Sequence, residues 1–185
     1  SSNVEIKSKI ISFIKSENPD VICFQEYYYD NNKEFITREL ILKELGFEYF
    51  HESFTNESKN SSKFGLATFS RFPIVNKQEL EFKNDHSNHC MWSDINIKSD
   101  TLRIFNAHMG SIRFNHSDYN IIGGKGSPLW PHQKIPEQDI YNRLKIGFSK
   151  RSQQLKELFP KVKKSPYNNI ICVDLNDTPL SYAYN

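Results

Sequence analysis

Three apolar runs in this chain each lead directly into polar side chains, and this arrangement limits the folds that the sequence can adopt. Short continuous apolar runs are typical of strands that are buried in a sheet. The polar clusters at their carboxyl ends are Gln25-Glu26 after Val21–Phe24, Asn106-Ala107-His108 at the end of Leu102–His108, and Asp174–Asp177 after Asn169–Val173. Because strand ends at one edge of a sheet form the rim of a pocket, we expect the clusters to lie together.

The rest of the pattern predicts helices toward both ends of the chain and an all-strand middle. Apolar residues recur at helical spacing in Val4–Glu17, Glu34–Leu45 and Ile140–Phe159. Further strands are predicted over Phe47–His51, Phe64–Ser70, Ile74–Phe82 and Cys90–Ile97, the last of which reaches Leu102–His108 through a tight turn. Helices that alternate with strands around an antiparallel middle predict two packed sheets with helices outside.

Length and composition predict one domain with a single core. The chain has 185 residues, and no run approaches the roughly 20 apolar residues that a membrane-spanning helix needs. Lys and Arg number 24 against 22 Asp and Glu, so the charge neither requires nor excludes a nucleic acid partner. Cys23, Cys90 and Cys172 follow no metal or redox spacing and are predicted to be buried thiols, which leaves the cellular compartment open.

Four side chains at the predicted rim have the chemistry of a phosphoryl-transfer site. Glu26 and Asp174 supply carboxylates, Asn176 an amide and His108 an imidazole. Such groups suit Mg²⁺ or Mn²⁺, proton transfer and an anionic substrate. Taken singly, a strand-end Asp or Asn is more often a turn former, and a lone His is more often structural. The residues by themselves therefore leave a purely structural interpretation open.

Four sequence blocks occur together and in order. They are Asn18–Glu26, Gly65–Ile74, Phe105–Met109 and Val173–Pro179. In this order and spacing they resemble the four blocks of the endonuclease/exonuclease/phosphatase (deoxyribonuclease I-like) family. Ala107, Met109 and Val173 depart from the residues common in that family, but none of these changes removes a reacting group.

The resemblance implies a fold and a domain boundary. The family's fold is a four-layered α/β sandwich, in which two packed, mostly antiparallel sheets lie between outer helices. On this resemblance residues 1–185 form a single but partial domain. The family's first strand, which carries an Asn, and its last block, which carries an Asp–His pair, are not found here, and the chain is predicted to be truncated at both ends.

The resemblance also implies roles for the rim residues. Glu26 is expected to bind Mg²⁺ or Mn²⁺, and Asp174 to orient or deprotonate the attacking water. Asn176 is expected to donate a hydrogen bond to the phosphate, His108 to stabilise the transition state, and Arg113 to add a phosphate contact. Because the terminal Asp–His pair is missing, the fragment is predicted to be weakly active or inactive alone.

The resemblance does not decide which phosphate ester bond is hydrolysed or which substrate carries it. Members of the family hydrolyse phosphodiesters or phosphomonoesters, and their substrates include nucleic acids, inositol phosphates and phospholipid headgroups. The long loop Gly110–Asp139 is the expected selector, with Arg113, Tyr119 and Trp130 as candidate contacts. A rival hypothesis is an inactive module that keeps the fold and binds an anion without cleaving it.

Overall fold

The structure is a computed structural model that describes residues 3–29, 37–57, 63–83, 85–112 and 137–177. Within these ranges the helices are α1 (Asn3–Glu17), α2 (Arg38–Leu45) and α3 (Glu137–Lys163). The strands are β1 (Val21–Tyr29), β2 (Tyr49–Glu57), β3 (Lys63–Ser70), β4 (Ile74–Phe82), β5 (Asp85–Ile97), β6 (Asp100–His108) and β7 (Asn168–Asp174).

The strands form two sheets. A three-stranded sheet has the order β1-β3-β2 and a four-stranded sheet the order β4-β5-β6-β7. All neighbouring strands are antiparallel except β6 and β7, which run parallel and place His108 opposite Asp174. The parallel pair needs a long crossover, which contains α3.

Each sheet buries its apolar side under helices. Ile14 of α1, together with Ile41 and Leu45 of α2, packs with Phe69 of β3 and with Phe47, which precedes β2. On the four-stranded sheet, Leu158 of α3 packs in a second cluster, whose other buried members are Phe82, Cys90, Trp92, Phe105, Ala107 and Met109. Because the two sheets also contact each other, the order of layers is helix, sheet, sheet, helix. The predicted four-layered α/β sandwich is therefore confirmed.

The layer between the sheets buries polar side chains beside apolar ones such as Leu66, Met91 and Ile95. Phe105 and Ala107 of β6 face α3, so the alternation of a strand directs Asn106 and His108 toward the other sheet. Polar side chains buried on this side include Thr68, Ser70, Ser93 and Asn106, each with no exposed surface. Buried polar groups destabilise a fold unless they are hydrogen-bonded, so the packing of the two sheets depends on their mutual contacts.

Local sequence signals account for several boundaries. Thr37 caps α2, since its Oγ1 accepts a hydrogen bond from Leu40 N at 3.3 Å. Gly46 ends α2 in the left-handed region with φ 68°. At Gly65 a side chain is excluded, because a Cβ there would lie 1.9 Å from the main-chain oxygen of Ser53 on the neighbouring strand.

Some predicted elements differ in length from those observed. The helix predicted to begin at Glu34 is described from Arg38, and α3 extends from Glu137 to Lys163 rather than from Ile140 to Phe159. β2 runs from Tyr49 to Glu57 rather than from Phe47 to His51, and β3 begins at Lys63 rather than at Phe64, so the two strands include three polar residues that no predicted strand contained: Asn56, Glu57 and Lys63. Their polarity is typical of a loop, but cross-strand pairing of the two strands continues through them.

The expectation that two strands are fully buried is wrong. Side chains of β1 are mostly half-buried, and in β7 Ile170 and Ile171 are 46% and 45% exposed. β7 pairs only with β6 among the described residues, so it lies at an edge of the sheet there. Apolar composition therefore did not separate a central strand from an edge strand.

Candidate active site

The sequence predicted that Glu26 follows the end of a strand. In the structure Glu26 lies inside β1, where a bulge sets its position. The pairing of β1 with β3 shifts register between Phe24 and Tyr27, and Glu26 has φ 53°. A left-handed conformation costs a non-glycine residue about 1–2 kcal/mol, so the rest of the sheet must hold it. The bulge directs the carboxylate outward, and its side chain is 67% exposed.

His108 brings the two predicted carboxylates together. Its Nε2 atom lies 3.9 Å from Oε1 of Glu26 and 4.0 Å from Oδ2 of Asp174. The ring is 17% exposed, yet Nε2 itself is buried and has no hydrogen-bond partner within the described part of the chain. An unpartnered buried nitrogen between two carboxylates is the arrangement expected of a site that binds a ligand.

A tight turn after β7 fixes Asp174 and Asn176. The Asn176 main-chain N donates to Asp174 Oδ1 at 2.8 Å, and Asn176 has φ 49°. The Asn176 Nδ2 donates to the Met109 main-chain O at 2.9 Å, while Met109 N donates to the Asp174 main-chain O at 2.9 Å. The turn thus joins the ends of β6 and β7 and leaves Asp174 Oδ2 on the side of His108. One of the two N–H groups of the Asn176 amide is used by this contact, so the expected bond to phosphate would use the other.

Asn106 joins the two sheets directly behind the site. Its Oδ1 accepts from Gln25 Nε2 at 2.7 Å. Its Nδ2 lies within hydrogen-bond distance of Phe24 O at 3.2 Å, Ala67 O at 3.0 Å and Thr68 Oγ1 at 3.3 Å. Because these partners belong to β1 and β3, one buried amide sets the position of the Glu26 bulge relative to His108.

Helix α3 anchors the segments that follow β6 and β7. The sequence did not indicate this contact. Arg151, 2% exposed, donates from Nη1 to Gly110 O at 3.2 Å and pairs through Nη2 with Asp177 Oδ2 at 3.0 Å. Gln154 accepts from Gly110 N at 2.9 Å. In the sequence these residues resemble the solvated face of a helix. Only Asp177, which lies inside the last of the four blocks, could have indicated a contact at this position.

Two of the three cysteines are less buried than predicted. Cys90 is buried, whereas Cys23 and Cys172 are only partly so. The Cys23 thiol, in the other sheet, lowers the pKa of Cys172 to about 7. The Cys172 thiol and burial together raise the pKa of Cys23, whose Sγ lies 3.7 Å from Thr68 Oγ1. The pair lies directly behind the carboxylates, since Cys172 precedes Asp174 by two residues on β7.

The donor groups of the site suit one kind of metal ion better than another. Among the described residues, no three His, Cys, Asp or Glu side chains are placed to hold an ion between them. Catalytic zinc commonly takes three protein ligands, so this arrangement does not fit it. Mg²⁺ is usually held by one or two carboxylates, with waters and substrate oxygens completing the shell. The Glu26 and Asp174 carboxylates, on either side of the unpartnered His108 Nε2, fit that requirement.

The expected substrate-selecting loop falls largely outside the described residues. Only Gly110–Ile112 and the helical residues from Glu137 are described from the segment Gly110–Asp139. Arg113, Tyr119 and Trp130 therefore lie outside the described part, and their expected contacts stay predictions. No helix among the described residues is both long and apolar enough to span a membrane.

Fold and site together define an α/β sandwich with acidic and imidazole groups at one edge of its paired sheets. The chain belongs to the Endonuclease/Exonuclease/phosphatase family, whose model matches residues 1–181. The family generally hydrolyses phosphoester bonds. The resemblance found in the four sequence blocks is thus confirmed. No curated protein sequence matches the chain.

Solved structures with this fold are distant in sequence. The catalytic domain of human Nocturnin is 18% identical with a TM-score of 0.61, over 97% of this chain and 59% of that one. Sphingomyelinase C from Streptomyces griseocarneus is 16% identical with a TM-score of 0.64, over 98% and 60%. D. rerio TDP2 complexed with a single-strand DNA product is 13% identical with a TM-score of 0.58, over 96% and 56%. The chain therefore spans about 60% of the length of the first two structures.

Proposed function

We propose that this chain carries the active site of a divalent-metal-dependent phosphoesterase, which hydrolyses a phosphodiester or phosphomonoester bond. The observation that supports this most directly is the convergence of Glu26 and Asp174 on the unpartnered Nε2 of His108. A site built only for structure has no need to hold two carboxylates beside a buried imidazole nitrogen that lacks a partner. Membership of a family of phosphoester hydrolases supports the same conclusion.

Each residue has a role that follows from its position. The exposed Glu26 carboxylate is the ligand for Mg²⁺ or Mn²⁺, an ion that polarises a phosphoryl oxygen when bound. Asp174 Oδ2 orients the attacking water, since Oδ1 is held by the turn. His108 donates to a phosphate oxygen as charge develops, and Asn176 donates through its second amide N–H. Arg113 is proposed as an additional phosphate contact.

The substrate is a phosphate ester whose alcohol part is proposed to be selected by the segment Gly110–Asp139. A structural neighbour holds a single-strand DNA product, and another is a sphingomyelinase, so nucleic acid and phospholipid headgroups are both candidates, as are inositol phosphates. We further propose that an Asp–His pair, which is not found in this chain, completes the catalytic set. The experiment below therefore uses the full-length protein.

The test is a screen of phosphodiesters and phosphomonoesters with Mg²⁺ and with EDTA. We expect hydrolysis of at least one ester with Mg²⁺, and its loss by about 100-fold or more in Glu26→Gln, because the ion supplies several kcal/mol of transition-state stabilisation. Glu48→Gln, a matched change at an exposed glutamate away from the site, should keep full activity. Binding of phosphate esters without any hydrolysis would instead support the inactive anion-binding module.

A further inference from the structure

Arg151 of α3 is a buried cation that bonds to both chain segments leaving the site, and the proposed mechanism gives it no role. Its Nη1 donates to Gly110 O at 3.2 Å, and its Nη2 donates to Asp177 Oδ2 at 3.0 Å. Gly110 lies just after β6, and Asp177 lies just after β7. Because a guanidinium is planar and rigid, its two bonds fix the distance between the two strand exits.

The bonds of Arg151 close a ring of contacts that includes two of the proposed catalytic residues. Met109 precedes the glycine that Arg151 contacts, and its main-chain N donates to the Asp174 main-chain O at 2.9 Å. Its main-chain O accepts from Asn176 Nδ2, also at 2.9 Å. Asn176 in turn precedes Asp177, the second partner of Arg151. A change at the Arg151–Asp177 contact would therefore shift the turn that carries Asp174 and Asn176.

Helix α3 holds the exit of β6 tightly. Gln154 Oε1 accepts from Gly110 N at 2.9 Å, so both main-chain polar groups of Gly110 bond to this helix. Gly147 of the same helix lets Ile112 approach closely, because a Cβ at this glycine would lie 2.6 Å from Ile112 Cγ1. The helix and the exit of β6 thus form one rigid support, from which Arg151 reaches the exit of β7.

The burial of the Arg151–Asp177 pair favours a role in geometry. The two side chains are 2% and 5% exposed. A buried ion pair is often no more stabilising than apolar side chains of similar size, because both charges lose their hydration. Arg151 Nε adds to this cost, since it is buried without a hydrogen-bond partner in the part of the chain that the structure describes. What the pair provides beyond apolar contacts is a fixed distance and direction.

We propose that Arg151 is a positioning residue for the hydrolytic reaction. By fixing Asp177 to the exit of β6, it holds Asp174 and Asn176 in place relative to His108, which lies opposite Asp174 in the parallel strand pair. The inference rests on the proposed function, because that function assigns the attacking water to Asp174 and the phosphate to His108 and Asn176. Arg151 acts through Asp177 and does not contact the substrate in this role.

The test is a double-mutant cycle in the full-length protein with Mg²⁺, on an ester identified in the screen. Arg151→Lys keeps the charge but loses the planar fork, and Asp177→Asn keeps the size of the side chain but loses its charge. We expect each variant to lower kcat by about 10-fold to 100-fold with KM within about 3-fold, because a misplacement of about 1 Å can cost about 100-fold in rate. Since both changes break one contact, the double variant should lose no more than about 3-fold beyond the weaker single variant. Lys156→Met, at an exposed cation of the same helix, should keep full activity.

The outcomes separate positioning from stability and from the proposed function. The value of kcat is taken per folded molecule, with the folded fraction measured by circular dichroism. A lower folded fraction with an unchanged kcat per folded molecule would indicate a purely structural role and overturn the proposal. Losses that multiply in the double variant would also overturn it, since Arg151 would then not act through Asp177. If Arg151→Lys does not fold, kcat of Asp177→Asn decides in the same way. A wild type that hydrolyses its ester while both variants keep kcat contradicts only the positioning role, whereas a wild type that hydrolyses no ester contradicts the proposed function as well.

Discussion

Replacement of Asn106 by alanine should lower the free energy of unfolding by about 3 kcal/mol and the melting temperature by roughly 10 °C. The side chain is fully buried and hydrogen-bonds to Gln25, to two main-chain carbonyls and to a threonine hydroxyl. Its loss leaves several of these groups unpaired and a cavity between the sheets. Chemical denaturation, followed by circular dichroism, measures the change.

A matched change elsewhere in the same sheet is the control for Asn106→Ala. Asn96 lies exposed on β5, and Asn96→Ala should alter stability by less than about 0.5 kcal/mol. If Asn106→Ala were equally mild, the polar layer between the sheets would not be what positions them. Some other contact would then hold the Glu26 bulge next to His108.

Replacement of His108 by alanine should lower kcat by about 100-fold to 10,000-fold while the fold is kept. The reason is that Nε2, the unpartnered atom, lies between the carboxylates of Glu26 and Asp174, where the phosphate is proposed to bind. Steady-state kinetics with Mg²⁺ on an ester identified in the screen measures the effect. Thermal unfolding of the same variant checks the fold.

The balance of kcat and KM in His108→Ala distinguishes two roles. A group that acts only as charge develops affects kcat and leaves KM nearly unchanged. A rise in KM alone would indicate ordinary binding of the ground state. A kcat within 3-fold of the wild-type value would contradict a role for His108 in the chemical step.

Much of the fold follows from residues whose local preference agrees with their place in the structure. Gly46 ends α2 in the left-handed conformation, which glycine adopts without steric cost, and the alternation of Ile74–Phe82 appears as β4 with the same bounds. Strand burial did not follow, because Ile170 and Ile171 have the composition of a central strand but lie on β7, which is an edge strand within the described part of the chain. The composition of a strand shows which side chains could be buried, but the strands and helices packed against it determine which of them are buried.

The site was predicted less completely than the fold. Glu26, His108 and Asp174 were expected on one rim, and the structure brings them within 4.0 Å of a common atom. The bulge that directs Glu26 outward could not be inferred, because no glycine marks it and its left-handed conformation is held by tertiary contacts. The Arg151–Asp177 pair was missed for a similar reason, since its partners lie far apart in sequence.

The distribution of polarity between the layers suggests how the fold holds a charged site. Both apolar clusters lie between a sheet and its helices, while the space between the sheets contains hydrogen-bonded side chains such as Asn106 and Thr68 together with apolar ones such as Met91. Apolar contacts are tolerant of small shifts, whereas hydrogen bonds fix distance and direction. The arrangement therefore stabilises the domain on its outer sides and sets the geometry of the rim from within.

Mn²⁺ titration, followed by the electron paramagnetic resonance of the free ion, tests the metal site most directly. If Glu26 holds an ion at this rim, the wild-type full-length protein should bind one Mn²⁺ at this site. Glu26→Gln should then weaken the affinity by 10-fold or more, and Glu48→Gln should leave it unchanged. An affinity in Glu26→Gln equal to that of the wild type, or no Mn²⁺ binding by the wild type at millimolar concentration, would contradict the proposed site.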